Sequence, residues 1–318
     1  MQSVFVTRVI PQIGIDILRR ELGGCDSNED DRALSKEELK ARVKGRAGIV
    51  CLLTDAIDAE ILDAAGPQLK VVSNVAVGYN NIDVKAAAAR HVIVTNTPGV
   101  LTDATADLTW ALLMASARRL GESERVLRAG NWHGWGILQF LGHEIAGKTL
   151  GIVGAGRIGA AVAKRARGFD MRIVYTARSP KPEMEEFKAA RVDLDTLLKE
   201  SDFVSLHVPL APETKHLIGA RELKLMKPSA HLINTARGPI VDEAALAAAL
   251  KAGAIAGAGL DVYENEPVIH PALFECENAV LLPHIGSATH ATRGKMAEMA
   301  ANNCAAVLKG KAALNPVS

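Results

Sequence analysis

The feature that most constrains the fold of this chain is a glycine-rich turn between a predicted strand and a predicted helix. Residues 148–153 are typical of a buried strand, and the sequence GAGRIG follows directly at 154–159. In a strand–turn–helix setting this G-x-G-x-x-G pattern is typical of a dinucleotide-binding turn. Gly154 permits the tight turn, Gly156 lets the backbone approach a pyrophosphate, and Gly159 lets the helix pack on the strand. The start of the helix adds free N–H groups and the positive end of its dipole. A turn of the same shape without a ligand is the alternative.

The residues after the next predicted strand, 172–176, indicate which dinucleotide is bound. An acid at this strand end would hydrogen-bond the ribose diol of NAD. This chain has no carboxylate there, and Asp170 precedes the strand. Arg178 and Ser179 follow it instead, and a guanidinium and a hydroxyl both suit a 2′-phosphate. We therefore favour NADP(H). NAD(H), with Arg178 stacked on the adenine, stays the alternative.

The rest of the chain alternates short β-branched runs with helical stretches, which predicts parallel sheets covered on both faces. The first series has predicted strands at 4–9, 47–52, 70–73 and 92–95. Asp58 and Asp83 stand where a helix N-cap is expected. The sequence NTPG at 96–99 breaks this series.

A long helix over about 102–119, capped by Gly121, is predicted to lead into a second series of strands. These strands are predicted at 149–153, 172–176, 203–208, 230–234, 255–260 and 279–282. A last helix, 289–308, has no strand left to pair with in the second series. We therefore predict an α/β protein with two doubly wound parallel-sheet domains. A Rossmann dinucleotide-binding domain (99–287) is inserted into a discontinuous flavodoxin-like substrate domain (1–98 and 288–318).

Composition excludes several classes of protein. The 318 residues are 48% hydrophobic and carry a net charge of +1, which excludes a disordered chain and argues against a dominant nucleic-acid role. Because there is no apolar run of about 18 residues and no leader-like start, neither a membrane span nor export is expected, and we predict a cytoplasmic protein. The four cysteines are too far apart in sequence for a CxxC motif, so we expect free thiols and no metal site. The lack of clustered Cys and His argues against a zinc-dependent dehydrogenase.

Three further segments fall at predicted strand ends, where open α/β sheets hold their ligands. They contain Arg237, Glu266 and His284. Hydride reduction of a 2-oxo acid needs a cation for the carboxylate and carbonyl and an acid for the developing alkoxide. It also needs a carboxylate that keeps that acid charged. Each residue alone has an ordinary structural explanation, but the three together behind one dinucleotide motif indicate a catalytic set.

In these motifs the chain resembles the D-2-hydroxyacid dehydrogenases, most closely their glyoxylate/hydroxypyruvate reductase branch. The resemblance covers nearly the whole chain and includes VGYNNID at 77–83 and NTPGVLTDATAD at 96–107. It implies that Arg237 binds the carboxylate and carbonyl, that His284 is the acid/base, and that Glu266 pairs with His284. It also implies a homodimer with a cleft between two doubly wound domains.

The resemblance further implies two sets of binding residues. Val77 and Gly78 would present backbone N–H groups to the substrate carboxylate, and Ala76 and Leu101 would lie around the substrate. Asp261 would face the nicotinamide carboxamide. Besides the glycine motif, Arg178 and Ser179, the cofactor would be contacted by Thr105, Arg157, Ile158, His207, Pro209, Thr235, Asp261 and Gly286. In this branch the loop before the glycine motif reaches the partner's active site, and Trp135 is the candidate contact; an interface Trp that does not touch substrate is the alternative.

Several functions stay open at this point. A small apolar pocket suits glyoxylate, hydroxypyruvate or pyruvate, and the catalytic residues alone do not exclude a phosphite-oxidising relative. The same fold also serves in dinucleotide-sensing corepressors that bind protein partners. The absence of a disordered docking extension argues against that function here.

Overall fold

The computed structural model describes residues 3–317, which separate into two compact units. The first unit holds the described residues up to Leu101 together with those from Ser287 onward. The second unit is Thr102–Gly286. The boundaries predicted from the sequence, at residues 98 and 288, lie close to these points. None of the helices in the described part of the chain is long and apolar enough to cross a membrane.

The first unit contains a five-stranded sheet in which every pairing is parallel. Its strands are β1 (Val4–Val6), β2 (Asp26–Ser27), β3 (Gly48–Cys51), β4 (Val71–Asn74) and β5 (Ile93–Thr95). Their spatial order is β2-β1-β3-β4-β5, the doubly wound order of flavodoxin-like folds.

Four helices connect these strands, and side-chain caps explain where three of them begin. They are α1 (Gln12–Leu22), α2 (Lys36–Val43), α3 (Ala59–Ala65) and α4 (Val84–Ala89). As predicted, the carboxylates of Asp58 and Asp83 accept backbone N–H groups in the first turns of α3 and α4. Ser35 and Glu38 form a reciprocal capping box at the start of α2.

The second unit contains a seven-stranded sheet, again with every pairing parallel. Its strands are β6 (Thr149–Val153), β7 (Arg172–Thr176), β8 (Ala190–Arg191), β9 (Phe203–Leu206), β10 (His231–Asn234), β11 (Gly257–Leu260) and β12 (Ala279–Leu281). The order β12-β11-β10-β9-β6-β7-β8 is the Rossmann order with one further strand. The predicted fold class is therefore confirmed.

The long helix predicted over about 102–119 is present, and a second helix that was not predicted follows it. The helices of this unit are α5 (Thr102–Ala117), α6 (Leu120–Arg128), α7 (Arg157–Ala166), α8 (Pro182–Glu185), α9 (Leu194–Glu200), α10 (Ala220–Leu225), α11 (Glu243–Lys251) and α12 (Pro271–Phe274). The break falls at Arg119, whose φ of 51° is left-handed, so that α6 starts at the next residue. The prediction that Gly121 caps the first helix is wrong, because Gly121 lies inside α6.

A final helix, α13 (His290–Leu308), belongs to the first unit. Its buried residues Ala297, Ala300 and Cys304 join the core that contains Ile17 and Leu18 of α1. A side chain at Gly14 of α1 would place its Cβ 3.1 Å from the Cβ of Ala297. The small residues therefore allow these two helices to approach closely. Helix α13, which comes last in the chain, completes the core between α1 and the first sheet.

Candidate active site

The loop after β10 carries Arg237, and a short hydrogen-bond network gives it its shape. The side chain of Asn234 accepts the N–H of Ala236 at 3.0 Å and donates to the carbonyl oxygen of Arg237 at 3.0 Å. The next residue, Gly238, has no space for a side chain, since an added Cβ would lie 1.8 Å from the carbonyl carbon of Tyr263. The loop after β10 therefore packs directly against the backbone of the loop after β11.

Arg237 is charged but largely withdrawn from water. Burial lowers the pKa of its guanidinium, and the charge of Glu266 opposes that shift. An arginine keeps its proton despite such a shift, because its ordinary pKa lies far above neutrality. The result is a permanent cation in a low-dielectric position, where it interacts strongly with an anion.

Glu266 and His284 form the pair that the resemblance implies. The Nδ1 atom of His284 lies 2.7 Å from Oε2 of Glu266, and the backbone N–H of Tyr263 donates to Oε1 at 3.0 Å. Burial raises the pKa of Glu266, but the bonds to His284 and to Tyr263 and the charge of Arg237 outweigh it, so the pKa is lowered. Glu266 is therefore a carboxylate that orients the imidazole through Nδ1 and leaves Nε2 for another partner.

The backbone at His284 adopts a left-handed conformation with φ of 54°. Such a conformation is uncommon for a residue with a side chain, and surrounding contacts must hold it. Asp261, which is 1% exposed, accepts the N–H of Ile285 at 2.7 Å and of Gly286 at 2.8 Å through its two oxygens. Burial raises the pKa of Asp261, and the two amides oppose that shift. Asp261 thus holds the turn that presents His284.

The residue that ties the two loops together, Tyr263, was not predicted. Its backbone N–H binds Glu266, and its hydroxyl donates to the carbonyl oxygen of Leu282 at 2.9 Å, two residues before His284. A buried acid, Glu243 at the start of α11, supports the same loop by accepting the N–H groups of Glu264 and His270 at 2.5 and 3.0 Å. The sequence DVYENEP at 261–267 places these groups together, but it does not show which backbone amides they bind.

The glycine turn has the shape that a pyrophosphate needs. Gly154 has φ of 97°, and an added Cβ would lie 2.7 Å from the backbone at 207–208. An added Cβ on Gly159 would lie 2.3 Å from the carbonyl oxygen of Gly154, whereas nothing stands within 4 Å of the corresponding position on Gly156. Gly156 begins α7 without a side-chain cap. The first amides of α7, at Arg157 and Ile158, have no acceptor among the described residues. The turn therefore offers an open cradle of N–H groups that fits a dinucleotide.

Four of the other predicted cofactor residues are held by hydrogen bonds within the second unit. Thr105, Thr235 and Gly286 lie together: Thr105 donates to the carbonyl oxygen of Gly286 at 3.3 Å, and Thr235 shares a 2.8 Å hydrogen bond with Thr109, which also bonds the carbonyl oxygen of Thr105. His207 follows β9, next to the glycine turn, and its Nε2 lies 2.8 Å from the hydroxyl of Ser205. Burial lowers the pKa of His207 to about 3.

Three predicted cofactor residues are exposed at strand ends: Pro209, Arg178 and Ser179. Arg178 forms no ion pair with any carboxylate in the part of the chain that the structure describes. It is therefore a cation without a local counter-charge.

The predicted substrate residues of the first unit lie around one turn after β4. The carbonyl oxygens of Ala76, Val77 and Gly78 accept bonds from the Thr97 N–H and from the side chains of Asn96 and Asn74, at 2.8–2.9 Å. The N–H groups of Val77 and Gly78 have no acceptor among the described residues. Leu101 packs partly buried against the core of this unit. Two asparagines that the sequence analysis did not select thus hold a pair of free amides in place.

Comparisons with known proteins identify the family of this chain. Residues 110–286 match the model of the D-isomer specific 2-hydroxyacid dehydrogenase NAD-binding domain. The chain is 53% identical to the glyoxylate reductase of Thermococcus litoralis, over 99% of this chain and 96% of that one. Among solved structures, the TT0316 protein of Thermus thermophilus is 48% identical, with a TM-score of 0.92 and coverage of 99% and 100%. An NADPH-dependent glyoxylate/hydroxypyruvate reductase of Sinorhizobium meliloti, solved with NADP and malonate, is 34% identical, with a TM-score of 0.86 and coverage of 99% and 96%.

Proposed function

This chain belongs to the D-isomer specific 2-hydroxyacid dehydrogenase family and is an NAD(P)-dependent dehydrogenase, and from that premise we propose that it reduces glyoxylate or a similarly small 2-oxo acid to the D-2-hydroxy acid with NADPH. The observation that carries the proposal is the 2.7 Å pair between His284 and Glu266. It follows β11 and β12 at the same sheet edge as the glycine turn. An acid held by a carboxylate beside a dinucleotide cradle suits the reduction of a carbonyl group.

A bound nicotinamide supplies the hydride in this chemistry. Arg237 binds the carboxylate of the 2-oxo acid and polarises its carbonyl group. Its guanidinium offers several N–H donors in one plane, which suits a carboxylate next to a carbonyl oxygen. Because Arg237 is partly buried, water screens that interaction less than it would at the surface.

His284 donates a proton from Nε2 to the oxygen that becomes the alkoxide. Glu266 accepts the Nδ1–H, so the ring keeps the tautomer and the orientation that this transfer needs. The low pKa of Glu266 keeps it ionised, and its charge compensates the ring while the ring is protonated. Asp261 fixes the backbone on which His284 stands.

In the first unit, the amides of Val77 and Gly78 are proposed ligands for the substrate carboxylate. Their support is that neither amide has an acceptor within residues 3–317, while the carbonyls of Gly78 and Val77 are held by Asn74 and Asn96. Two adjacent N–H groups of this kind form an anion-binding nest. Ala76 and Leu101 are proposed neighbours that restrict the size of the substrate.

The proposed preference for NADP(H) is supported by Arg178 and Ser179 after β7 and by the lack of a carboxylate at this strand end. The relative from Sinorhizobium meliloti is described as NADPH-dependent. NAD(H) is the alternative, and the two cofactors can be separated by direct comparison.

We also propose a homodimer. The loop before β6 exposes a run of apolar side chains, among them Trp135 (79% exposed), Ile137 (72%) and Leu138 (78%). An apolar stretch of this size in a water-exposed loop is typical of an interaction surface. Sedimentation of the wild type and of Trp135→Ser tests this proposal, and a monomeric wild type would contradict it.

The first test of the enzymatic proposal is steady-state oxidation of NADPH and NADH with glyoxylate, hydroxypyruvate and pyruvate. We expect the highest kcat/KM for NADPH with glyoxylate or hydroxypyruvate. Turnover with NADH alone would keep the reaction and contradict the proposed cofactor preference. If no combination of cofactor and 2-oxo acid turns over, the proposed substrates are contradicted. Phosphite would then be tested as the reductant, followed by a corepressor-like role.

A further inference from the structure

The segment after β7 is held in one conformation by a residue from the neighbouring strand, β8. Arg191 is the last residue of β8 and pairs with Tyr175 in the sheet. Its Nε and Nη2 atoms donate to the carbonyl oxygen of Ala177 at 3.1 and 2.9 Å. Its Nη2 atom also lies 3.3 Å from the carbonyl oxygen of Arg178. One planar guanidinium therefore binds two successive carbonyls.

These bonds decide the direction in which the following amides point. In a trans peptide, the N–H of one residue is antiparallel to the carbonyl of the residue before it. With the carbonyls of Ala177 and Arg178 turned toward Arg191, the N–H groups of Arg178 and Ser179 point away from it. Neither N–H has an acceptor among the described residues. The segment thus combines two free amides with the side chains of Arg178 and Ser179.

A second contact fixes the far end of the same segment. The hydroxyl of Tyr175, a residue that is 3% exposed, accepts the N–H of Lys181 at 3.2 Å. The near end is joined to the glycine turn, because the N–H of Gly154 donates to the carbonyl oxygen of Thr176 at 3.0 Å. The segment is therefore preorganised between two anchors and lies next to the pyrophosphate cradle.

Charge around the segment also favours an anion. Arg178, Lys181 and Arg191 form no ion pair with a carboxylate within the described residues, whereas Arg172 at the other end of β7 is paired with Glu200 at 2.6 Å. Carbonyl oxygens repel a phosphate, and here those of Ala177 and Arg178 are bound to a cation.

We propose that Arg191 is a specificity-determining positioning residue for the 2′-phosphate of NADP(H). This role of Arg191 rests on the proposed preference for NADP(H). Arg191 acts through the backbone: it withdraws the carbonyls of Ala177 and Arg178 and directs the amides and side chains at 178 and 179 toward the phosphate. No motif in the sequence marks Arg191 for this role, because it lies on a different strand from the segment that it orders.

Calorimetric binding of two cofactor fragments, adenosine 2′,5′-bisphosphate and adenosine 5′-monophosphate, tests this role without turnover. Arg191→Met should weaken bisphosphate binding about tenfold, the order of one charge-assisted hydrogen bond, and should change monophosphate binding less than about twofold. Arg191→Lys keeps the charge but lacks the planar fork, so it should recover less than half of that loss. Arg172→Met removes an arginine from the adjacent strand and should leave both affinities within about twofold, since its charge is already paired.

Steady-state kinetics give a second readout. In Arg191→Met, the KM for NADPH should rise while kcat at saturating NADPH and the KM for the 2-oxo acid stay unchanged, because the residue touches neither the acid–base pair nor the substrate. Arg191 is exposed, so the melting temperature should move little and report a folded variant.

Each outcome separates this proposal from the proposed function. If the wild type binds the two fragments equally, the NADP(H) preference fails, and the role of Arg191 fails with it before any variant is measured. If the wild type prefers the bisphosphate and Arg191→Met keeps that preference, only the role of Arg191 is overturned. Full recovery in Arg191→Lys would show that charge alone matters and would overturn the positioning role.

Discussion

The two edges of the seven-stranded sheet each carry a histidine in a hydrogen-bonded cluster, and the two clusters are built differently. At the carboxyl edge, His284 is bonded to the carboxylate of Glu266 and keeps 26% of its side chain exposed. At the amino edge, His231 begins β10 and is 2% exposed. Its ring nitrogens lie 2.8 Å from the Ser116 hydroxyl and 3.1 Å from His143.

The partners decide what each imidazole can do. A carboxylate supports a positive ring, whereas a hydroxyl and a second imidazole satisfy a neutral ring. Phe203 stacks on His231 with a centroid distance of 5.4 Å, and burial lowers the pKa of His231 to about 4, with a smaller contribution from the charge of His143. The same residue type at a strand terminus is therefore placed for the proposed proton transfer at the carboxyl edge and for packing at the amino edge, according to its neighbours.

The largest predicted effect separates these two histidines by activity. His284→Asn should lower kcat roughly 10²–10⁴-fold, because it removes the proposed general acid. His231→Asn should leave kcat within about twofold and lower the melting temperature. Steady-state kinetics and thermal melts on both variants provide the measurement. A comparable loss of kcat in both variants would remove the distinction between the edges.

The next effect concerns the buried cation at the carboxyl edge. Arg237→Lys keeps the charge but loses the planar arrangement of donors, so kcat/KM for the 2-oxo acid should fall about 10- to 100-fold. The affinity for adenosine 5′-monophosphate, measured by calorimetry, should not change. A variant with normal kcat/KM would show that charge alone suffices at this position.

The amino edge should control stability toward mild acid. His231 has a pKa of about 4 in the fold against 6.5 in the unfolded chain, so the unfolded chain binds more protons as the pH falls through this window. The contribution is fully present above pH 6.5 and is lost as the pH falls toward 4. Between pH 7 and pH 5 the free energy of unfolding should fall by about 2 kcal/mol from this residue.

Urea denaturation of the wild type and of His231→Asn at pH 7 and pH 5 measures that loss. The free energy of unfolding of the variant should fall less between these two pH values, because the contribution of His231 is gone. Some fall should remain, because His207, with a pKa lowered to about 3, contributes a loss of the same sign. If the free energy of unfolding falls equally in the two proteins, residues other than His231 cause the acid sensitivity.

The smallest effect tests how the carboxyl edge is held together. Tyr263→Phe removes the hydroxyl that donates to the carbonyl oxygen of Leu282, which should cost about 1 kcal/mol of stability. Because the bond supports the strand before His284, kcat should fall about two- to fivefold with an unchanged KM for cofactor. Loss of stability with full kcat would make Tyr263 a structural residue only.

The sequence predicted the parts of this molecule that depend on local pattern. Buried strands such as β6 and β7 appear as apolar runs with sharp ends, and Asp58 and Asp83 are recognisable caps because an N-cap is a local interaction. Two-residue strands such as β2 and β8 are too short to produce a pattern. The break between α5 and α6 depends on the left-handed conformation of Arg119, which sequence periodicity does not reveal.

In the candidate site, too, some residues could be predicted from the sequence and others could not. Arg237, Glu266 and His284 follow strands, so the parallel topology predicts their common edge. Their supporting contacts could not be predicted, because Tyr263 and Asp261 bind backbone groups about 20 residues away in the chain. The role of Arg191 could not be predicted for the same reason, because it binds the backbone of Ala177 and Arg178. A side chain that acts on a neighbouring backbone leaves no motif of its own.

The return of α13 to the first unit has a consequence for synthesis on the ribosome. The face of the first sheet that α13 covers, near Ile17 and Val50, is made early, whereas α13 emerges only after the whole of Thr102–Gly286. At ordinary rates of translation this interval is roughly 10 to 40 s. During that time the nascent first unit exposes an apolar surface while the second unit is free to fold. We therefore expect chaperones to bind the nascent chain until α13 arrives, and ribosome profiling of chaperone-bound nascent chains would reveal that window.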